Sequence, residues 1–211
     1  MPGAAIEANG IGKRFGSRWA LRGVSCSIAN GEVVGLFGAN GSGKSTLLRI
    51  LATLLRPTGG TATIDGADVI TDPDGVRGRI GFLAHTPGLY DDLTARENLL
   101  FAADMLGIPH AFVREQLERV GLAEVTNERV RGFSAGMQRR LAIARLRLSR
   151  PRVLLLDEPY SNLDSTGIEL MNATIAELVA GGGAAIIALH EIAPAQRVLA
   201  RSVTLVNGRI N

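Results

Sequence analysis

One glycine-rich stretch has the residue types and the spacing that can bind a phosphate chain. It runs from Gly38 through Gly41 and Gly43 to Lys44 and Ser45, in the pattern Gly-x-x-x-x-Gly-Lys-Ser. Glycines allow backbone N–H groups to close around phosphate oxygens, the lysine reaches the β- and γ-phosphates, and the serine hydroxyl can bind Mg²⁺. An apolar run precedes the loop and a helical pattern follows it, so the stretch predicts a nucleoside triphosphate site. The candidate contacts are Gly38, Ala39, Asn40, Gly41, Ser42, Gly43, Lys44, Ser45 and Thr46.

Two carboxylates end a second apolar run. Residues 153–156 are typical of a buried parallel strand, and Asp157 and Glu158 follow them directly. Carboxylates at the end of a buried strand are costly unless a ligand or a positive charge pairs with them. Together with the phosphate-binding loop, they predict that Asp157 binds Mg²⁺ and that Glu158 is the general base for water.

Alternating strands and helices would position these groups. The alternation predicts a mostly parallel sheet, and residues 86–150, which lack strong strand patterns, predict a helical insertion. Thr94 and Glu97 have the spacing of a capping box, and Gly181 to Gly183 end a helix. The predicted strands are 20–28, 32–37, 61–64, 79–84, 152–156 and 184–189; the predicted helices are 45–55, 94–106, a second reaching about 120, 135–149, 165–180 and one near 191–200; a hairpin is predicted at Asn207-Gly208.

Composition excludes several classes. The chain is 46% hydrophobic and 20% charged, which argues against disordered and collagen-like proteins. The net charge is +3, but the arginines are scattered and aromatic residues make up only 4%, so no nucleic-acid partner is expected. A lone Cys26, no long apolar run and an N-terminus without a leader pattern predict a soluble cytoplasmic chain.

Further motifs resemble the ATP-binding subunits of ABC transporters. Residues 133–138 (Phe-Ser-Ala-Gly-Met-Gln) resemble the signature loop of that family, and residues 161–164 (Ser-Asn-Leu-Asp) resemble its D-loop. His190 resembles the switch histidine that follows a strand, and Phe15 lies where the family stacks an aromatic ring on adenine. The resemblance covers almost the whole chain.

That resemblance implies a fold and an organisation. The expected fold is α/β, a P-loop NTPase with a mostly parallel central sheet, an N-terminal antiparallel strand portion and a helical subdomain between the phosphate-binding loop and Asp157. A single domain of residues 1–211 is expected. Residues 1–85 and 151–211 would form its core, and residues 86–150 would form a helical lobe that carries the signature loop.

The resemblance also implies partners and roles. ATP and Mg²⁺ would bind between two chains in a head-to-tail dimer, and the signature residues Ser134, Ala135 and Gly136 would contact the partner's ATP. Glu158, His190 and Lys44 would carry hydrolysis. Transmembrane permease subunits would dock near residues 85–110, which places the chain peripherally on the cytoplasmic face of the inner membrane.

The chain departs from the family pattern at the Q-loop and in the signature loop, where Phe133, Ala135 and Met137 replace leucine, glycine and glutamine. The family's Q-loop has a glutamine after its strand, whereas this chain has His85 and Thr86. A hydroxyl suits Mg²⁺ better than an imidazole, so Thr86 is the better candidate metal ligand of the two. The signature loop has Ala135 in place of glycine, which the backbone tolerates unless that residue needs a positive φ.

Residues 85–98 and 134–146 resemble, more narrowly, the haem exporter ATPases of cytochrome c maturation. Thr86 differs from that subfamily's glutamine, and ATPases of drug, polysaccharide or lipid exporters share many of these features. Haem export is therefore the narrower prediction, and another ABC exporter is the alternative.

Three other functions fit parts of the sequence. Residues 132–136 match Gly-x-Ser-x-Gly, and Asp157 and His190 follow in the order of an esterase triad, but the polar segment 126–131 before them is not a strand. A soluble ABC ATPase that acts on DNA or ribosomes is a second alternative. A GTPase would need an Asn-Lys-x-Asp motif, and neither Lys13 nor Lys44 lies in one.

Overall fold

The structure, a computed structural model, describes residues 4–211. Within that range the strands are β1 (Ile6–Phe15), β2 (Arg18–Ile28), β3 (Val33–Phe37), β4 (Gly59–Ile64), β5 (Ala67–Asp68), β6 (Ile80–Leu83), β7 (Val153–Asp157), β8 (Ala184–Ala188), β9 (Arg201–Val206) and β10 (Arg209–Ile210). The α-helices are α1 (Lys44–Leu51), α2 (Pro73–Arg77), α3 (Ala95–Leu106), α4 (Ala111–Arg119), α5 (Ala135–Leu148) and α6 (Ser165–Ala180).

The strands form two sheets. The order of the larger sheet is β10-β9-β3-β8-β7-β6, and β9, β3, β8 and β7 are parallel neighbours. All residues of β7 and β8 are buried, which explains why these strands are continuously apolar rather than alternating. The smaller sheet, β2-β1-β4-β5, is antiparallel.

The chain divides into two compact units. The first contains the residues up to Phe82, residues 151–159 and residues 175–211, and the second contains residues 83–150 and 160–174. The first unit holds the core shared by both sheets and the apolar face of α1, and the second holds α3, α4 and α5. None of the helices among residues 4–211 is long and apolar enough to cross a membrane.

Most of the predicted elements are present with slightly different ends. The predicted capping box is confirmed, because the Glu97 N–H donates to Oγ1 of Thr94 over 3.1 Å and the Thr94 N–H donates to Oε2 of Glu97 over 2.8 Å. The hairpin between β9 and β10 is confirmed too. Its turn residues Asn207 and Gly208 have φ of 48° and 78°, as a tight hairpin turn requires.

One predicted helix is absent, and one strand was not predicted. The helix predicted near 191–200 is wrong, because that segment has only a short 3₁₀ turn at Ala193–Ala195. The N–H groups of Val198 and Leu199 both donate to the carbonyl oxygen of Ala195, so the backbone bonds after the turn do not continue as a regular helix. The sequence patterns also miss β1, whose register is irregular around Gly10 and Gly12 and which pairs with both β2 and β4.

Candidate functional site

The parallel sheet brings three distant segments to one edge. β8 lies between β3 and β7 and is parallel to both. The glycine-rich loop follows β3, Asp157 and Glu158 lie where β7 ends, and His190 follows β8. Because the carboxyl ends of parallel strands meet at the same edge, the groups predicted to bind and hydrolyse ATP lie together there.

Close packing of the glycine-rich loop requires glycine at two positions. Gly38 and Gly43 have φ of 148° and 113°, values that other residues rarely adopt. A Cβ at Gly43 would lie 2.7 Å from the carbonyl oxygen of Ala20, and a Cβ at Gly38 would overlap the carbonyl oxygen of Leu205. The backbone of β2 and β9 therefore presses on this loop and fixes its shape.

Lys44 lies at the first position of α1 and folds back over the loop. Its side chain is almost fully buried, at 6% exposure, and Nζ donates to the carbonyl oxygen of Gly38 over 2.6 Å and to that of Ala39 over 3.4 Å. A buried ammonium held only by neutral carbonyls in these contacts is well placed to pair with an anion. The loop would present it to phosphate oxygens.

The donors around this loop fit a nucleotide with a Mg²⁺ ion. The buried hydroxyl of Ser42 has no hydrogen-bond partner among residues 4–211, so it is free to bond a phosphate oxygen. Asp157 is buried at 2% exposure, and Ser45 lies next to Lys44 in the first turn of α1. One carboxylate and one hydroxyl suit Mg²⁺, which usually takes its remaining ligands from water and substrate phosphates.

Glu158 and His190 form a short hydrogen bond at the edge of the sheet. Nε2 of His190 lies 2.6 Å from Oε1 of Glu158, and the Glu158 N–H donates to the carbonyl oxygen of Ala188 over 3.1 Å. Glu158 has a φ of 51°, an unusual conformation for a residue with a side chain. Such strained positions are typical of functional sites, and this one turns the carboxylate out of the strand toward His190.

Phe15 lies at the end of β1, in a tight turn. Its ring is 52% exposed, and Nζ of Lys13 lies 5.2 Å from the ring centroid. Phe15 pairs with Arg18 across the hairpin. The exposed ring is therefore free to stack on a base, as predicted, and adenine stacking remains a prediction.

The predicted signature residues begin α5 in the second unit. Ser134 is the N-cap of this helix, and its Oγ accepts the Met137 N–H over 3.2 Å. Ala135 is the first helical residue and has no positive φ, so its side chain costs the loop nothing. The residues before Ser134 form a 3₁₀ turn at Val130–Gly132 rather than a strand, which rules against the nucleophile elbow of an esterase.

The start of α5 is fastened to the segment predicted to be the D-loop. Nη2 of Arg140 donates to Oδ1 of Asp164 over 2.6 Å, and a Cβ at Gly136 would lie 3.1 Å from the carbonyl oxygen of Asn162. The Gly167 N–H and the Arg140 guanidinium hold the pKa of Asp164 below its usual range. The second unit thus connects its predicted signature and D-loop residues directly.

Sequence reasoning missed two arginines that hold the segment of His85 and Thr86. Nη1 of the buried Arg139 donates to the carbonyl oxygen of Ala84 over 2.8 Å and to that of His85 over 3.4 Å. Arg145 donates to the carbonyl oxygens of Pro87 and Gly88 over 2.6 and 2.7 Å. Burial lowers the pKa of the Arg145 guanidinium.

These two arginines could not have been found from their spacing, because a bond to a backbone carbonyl leaves no pattern in the sequence. His85 and Thr86 are both exposed. Their predicted role as metal ligands stays a prediction.

Comparisons with known proteins identify the family of this chain. The family model described as "ABC transporter" matches residues 21–161. The chain is 41% identical over 191 residues to the cytochrome c biogenesis ATP-binding export protein CcmA of Bordetella bronchiseptica, covering 89% of this chain and 83% of that protein. It is 37% identical over 214 residues to the daunorubicin resistance ATP-binding protein DrrA3 of Streptomyces coeruleorubidus, covering 100% of this chain and 68% of that protein.

A solved structure has the same fold. It is a dimeric post-hydrolysis state of the ATP-binding cassette MJ0796 bound to ADP and Pi, with a TM-score of 0.85 and 29% identity over 98% of this chain and 96% of that one. The predicted α/β fold, with its parallel sheet, antiparallel strands and inserted helical region, is therefore confirmed.

Proposed function

This chain belongs to the ABC transporter family of ATP-binding proteins and is an ATPase, and we propose that it powers haem export for cytochrome c maturation from the cytoplasmic face of the inner membrane. The observation that carries the catalytic part of this proposal is the edge of the sheet where the phosphate-binding loop, Glu158 and His190 follow neighbouring strands. Hydrolysis requires a base close to the bound phosphates. Here the phosphate-binding loop and the candidate base follow neighbouring strands and lie at the same edge of the sheet.

Binding of ATP would use the preformed loop and its buried charge. Backbone N–H groups between Gly38 and Thr46 would face the phosphate oxygens, and Lys44 would exchange its carbonyl partners for the β- and γ-phosphates. Ser45 and Asp157 would hold Mg²⁺. When bound, that ion neutralises charge on the phosphate oxygens.

Hydrolysis would use Glu158 to orient a water molecule and take its proton. To act as a base, the Glu158 carboxylate would be ionised and could only accept hydrogen bonds, so Nε2 of His190 would be the donor in their 2.6 Å contact. This bond would direct the carboxylate toward the water. Glu158 would thus be the general base, and His190 would hold it in place.

A second copy would complete the site. Ser134, Ala135 and Gly136 would contact the ATP held by the partner chain, with the positive end of α5 directed at the γ-phosphate. The dimeric structure of the MJ0796 cassette supports the formation of a dimer. ATP would favour the closed dimer, and hydrolysis would reopen it.

The surface for the membrane partner would be an exposed apolar patch on the second unit. Tyr90, Phe101, Met105 and Leu106 are all exposed, and the rings of Tyr90 and Phe101 meet edge to face with centroids 5.1 Å apart. Asn98 holds the loop before α3 by bonding the N–H and the carbonyl oxygen of Tyr90. Clustered exposed apolar side chains of this kind mark interaction sites, and we expect permease subunits to dock here.

Haem as the cargo is supported by the stretch from His85 to Asn98 and by the alanine in the signature loop, both of which resemble the haem exporter ATPases. The CcmA relative adds 41% identity over 191 residues. The drug-resistance relative, at 37% identity over the whole chain, supports drug export as the second candidate.

Capture of the membrane partner tests this proposal. Tagged Glu158→Gln protein would be incubated with solubilised native membranes, ATP and Mg²⁺, and its partners identified by mass spectrometry and by haem absorbance. We expect multi-span proteins with haem. Phe101→Asp should lose them, whereas Leu54→Asp, a matched change at a leucine that is 62% exposed in the first unit, should keep them.

The other outcomes separate the alternatives. Multi-span partners without haem would overturn haem export and leave another exporter. Ribosomal or DNA-bound partners without any membrane protein would overturn transport itself.

A further inference from the structure

An exposed arginine, Arg18, lies beside the phosphate-binding loop. Arg18 is exposed at the start of β2, and its guanidinium makes no hydrogen bond or ion pair with residues 4–211. A Cβ placed on Gly41 would lie 4.0 Å from Nη2 of Arg18. The charged end of this side chain therefore lies at the rim of the loop that would hold the phosphates.

The surroundings of Arg18 favour an anion. A hollow of about 670 Å³ lies between this residue, Gly41 and the end of β9, and Arg22 and Arg209 also line it. None of its lining residues is acidic. Most surface arginines with nearby carboxylates pair with them, as Arg114 does with Glu118 at 2.7 Å, so an unpaired guanidinium here is available for a ligand.

The hairpin places Arg18 beside Phe15, the residue predicted to stack on the base. Phe15 and Arg18 are directly opposite each other in the register of β1 and β2, so their side chains share a face of the hairpin. Arg14 and Trp19 form the next pair and project to the other face. If the Phe15 ring stacks on the base, Arg18 lies between the base and the loop.

We propose that Arg18 binds the polyphosphate of the bound nucleotide on the side near the base, at oxygens that ATP and ADP have in common. This inference rests on the proposed nucleotide site. Arg18 would add a second positive charge to the one from Lys44, which would face the β- and γ-phosphates. Because the contact would be the same before and after hydrolysis, it would raise affinity for nucleotide without speeding the chemical step.

Direct binding measurements test the proposal, with MgADP and the non-hydrolysable analogue Mg-AMPPNP as the probes. Arg18→Gln should weaken both by a similar factor, on the order of fivefold to tenfold. Arg18→Lys should recover part of the loss because it keeps the charge. In steady-state hydrolysis, Arg18→Gln should raise the KM for ATP by the same factor and leave kcat unchanged.

The matched control is Arg14→Gln, which removes the same charge from the opposite face of the same hairpin, where Arg14 lies 5.8 Å from the ring of Trp19. It should leave both affinities within about twofold of the wild type. The difference between the two variants should shrink at about 1 M KCl, where charges are screened beyond about 3 Å.

Three results would overturn the role of Arg18. The first is an unchanged affinity of Arg18→Gln for both nucleotides, and the second is a loss of affinity equal to that of Arg14→Gln. The third is a loss of affinity for Mg-AMPPNP alone, which would place the contact at the γ-phosphate. Nucleotide binding by Lys44→Ala tests the nucleotide site independently of Arg18. If that variant also left nucleotide binding intact, the nucleotide site itself would be wrong, whereas a loss in Lys44→Ala alone would reject only the inference about Arg18.

Discussion

The two units of the molecule hold their candidate functional groups by different means. In the first, a parallel sheet brings the ends of β3, β7 and β8 to one edge, and Lys44, Glu158 and His190 lie on the segments that follow. In the second, one helix fastens the loops around it through side chains. Arg139 and Arg145 of α5 bond backbone carbonyls of residues 84–88, and Arg140 bonds Asp164.

This difference separates residues that would act on the substrate from residues that hold a backbone segment in place. The sheet edge fixes groups that would act directly on the substrate, so changes there should affect binding and rate while the fold survives. Arg139 and Arg145 hold the segment 84–88 by bonds to its carbonyl oxygens, so changes there should first affect stability. Substitutions at Lys44, Arg145, Thr94 and Asp164 test that contrast.

Lys44→Ala should have the largest effect. Removing the buried ammonium takes away the charge that would pair with the phosphates, and we expect the affinity for MgATP to fall at least about 100-fold. Isothermal titration calorimetry measures it. The control is Arg49→Ala, which removes an exposed charge from the same helix and should bind normally. Equal affinities in the two variants would contradict the role of Lys44.

Arg145→Met should destabilise the second unit by about 2 kcal/mol, because it removes two short bonds and leaves the carbonyls of Pro87 and Gly88 without this donor. Urea unfolding measures the free energy. Arg114→Met, at a side chain that is 89% exposed, should change it by less than about 0.5 kcal/mol. If Arg145→Met were as stable as Arg114→Met, α5 would not fasten this segment.

Thr94→Ala removes one half of the capping box of α3. We expect a loss of about 1 kcal/mol in the free energy of unfolding, since the Glu97 N–H loses its acceptor. Thr94→Ser keeps the hydroxyl and should restore most of the stability. A Ser variant as unstable as the Ala variant would show that the methyl group matters more than the cap.

Asp164 should give a small pH dependence. Its pKa is lowered in the folded state by the Gly167 N–H and by Arg140, so its contribution to stability is present above the unfolded value near 4 and is lost as the pH falls through the folded pKa. The Tm of the wild type should therefore exceed that of Asp164→Asn at pH 7. The two should converge below about pH 4, and a constant difference would contradict this assignment.

The sequence predicted the parts of the molecule that depend on local pattern. The glycine-rich loop, the apolar strands β7 and β8, the capping box at Thr94 and the Asn207-Gly208 turn all need particular residues at fixed spacing, so each was recognisable. The helix predicted near 191–200 is wrong, because the apolar pattern of the segment does not show that its backbone bonds stop after the short turn at Ala193–Ala195.

Other features depend on partners that are distant in sequence. β1 contains glycines and lacks a clear alternation, and it is a strand because β2 and β4 pair with it on both sides. Arg139 and Arg145 reach carbonyls more than fifty residues away. Arg18 looks like any surface arginine until the fold brings it to Gly41.

The central claim is that Glu158, held by His190, is the base for ATP hydrolysis. The measurement that tests it most directly is a single-turnover assay of Glu158→Gln, in which bound nucleotide is quantified as ATP or ADP over time. Glutamine keeps the size of the side chain but accepts no proton, so we predict that ATP stays bound and that the rate falls by about 10²- to 10⁴-fold. Conversion to ADP at the wild-type rate would contradict this account.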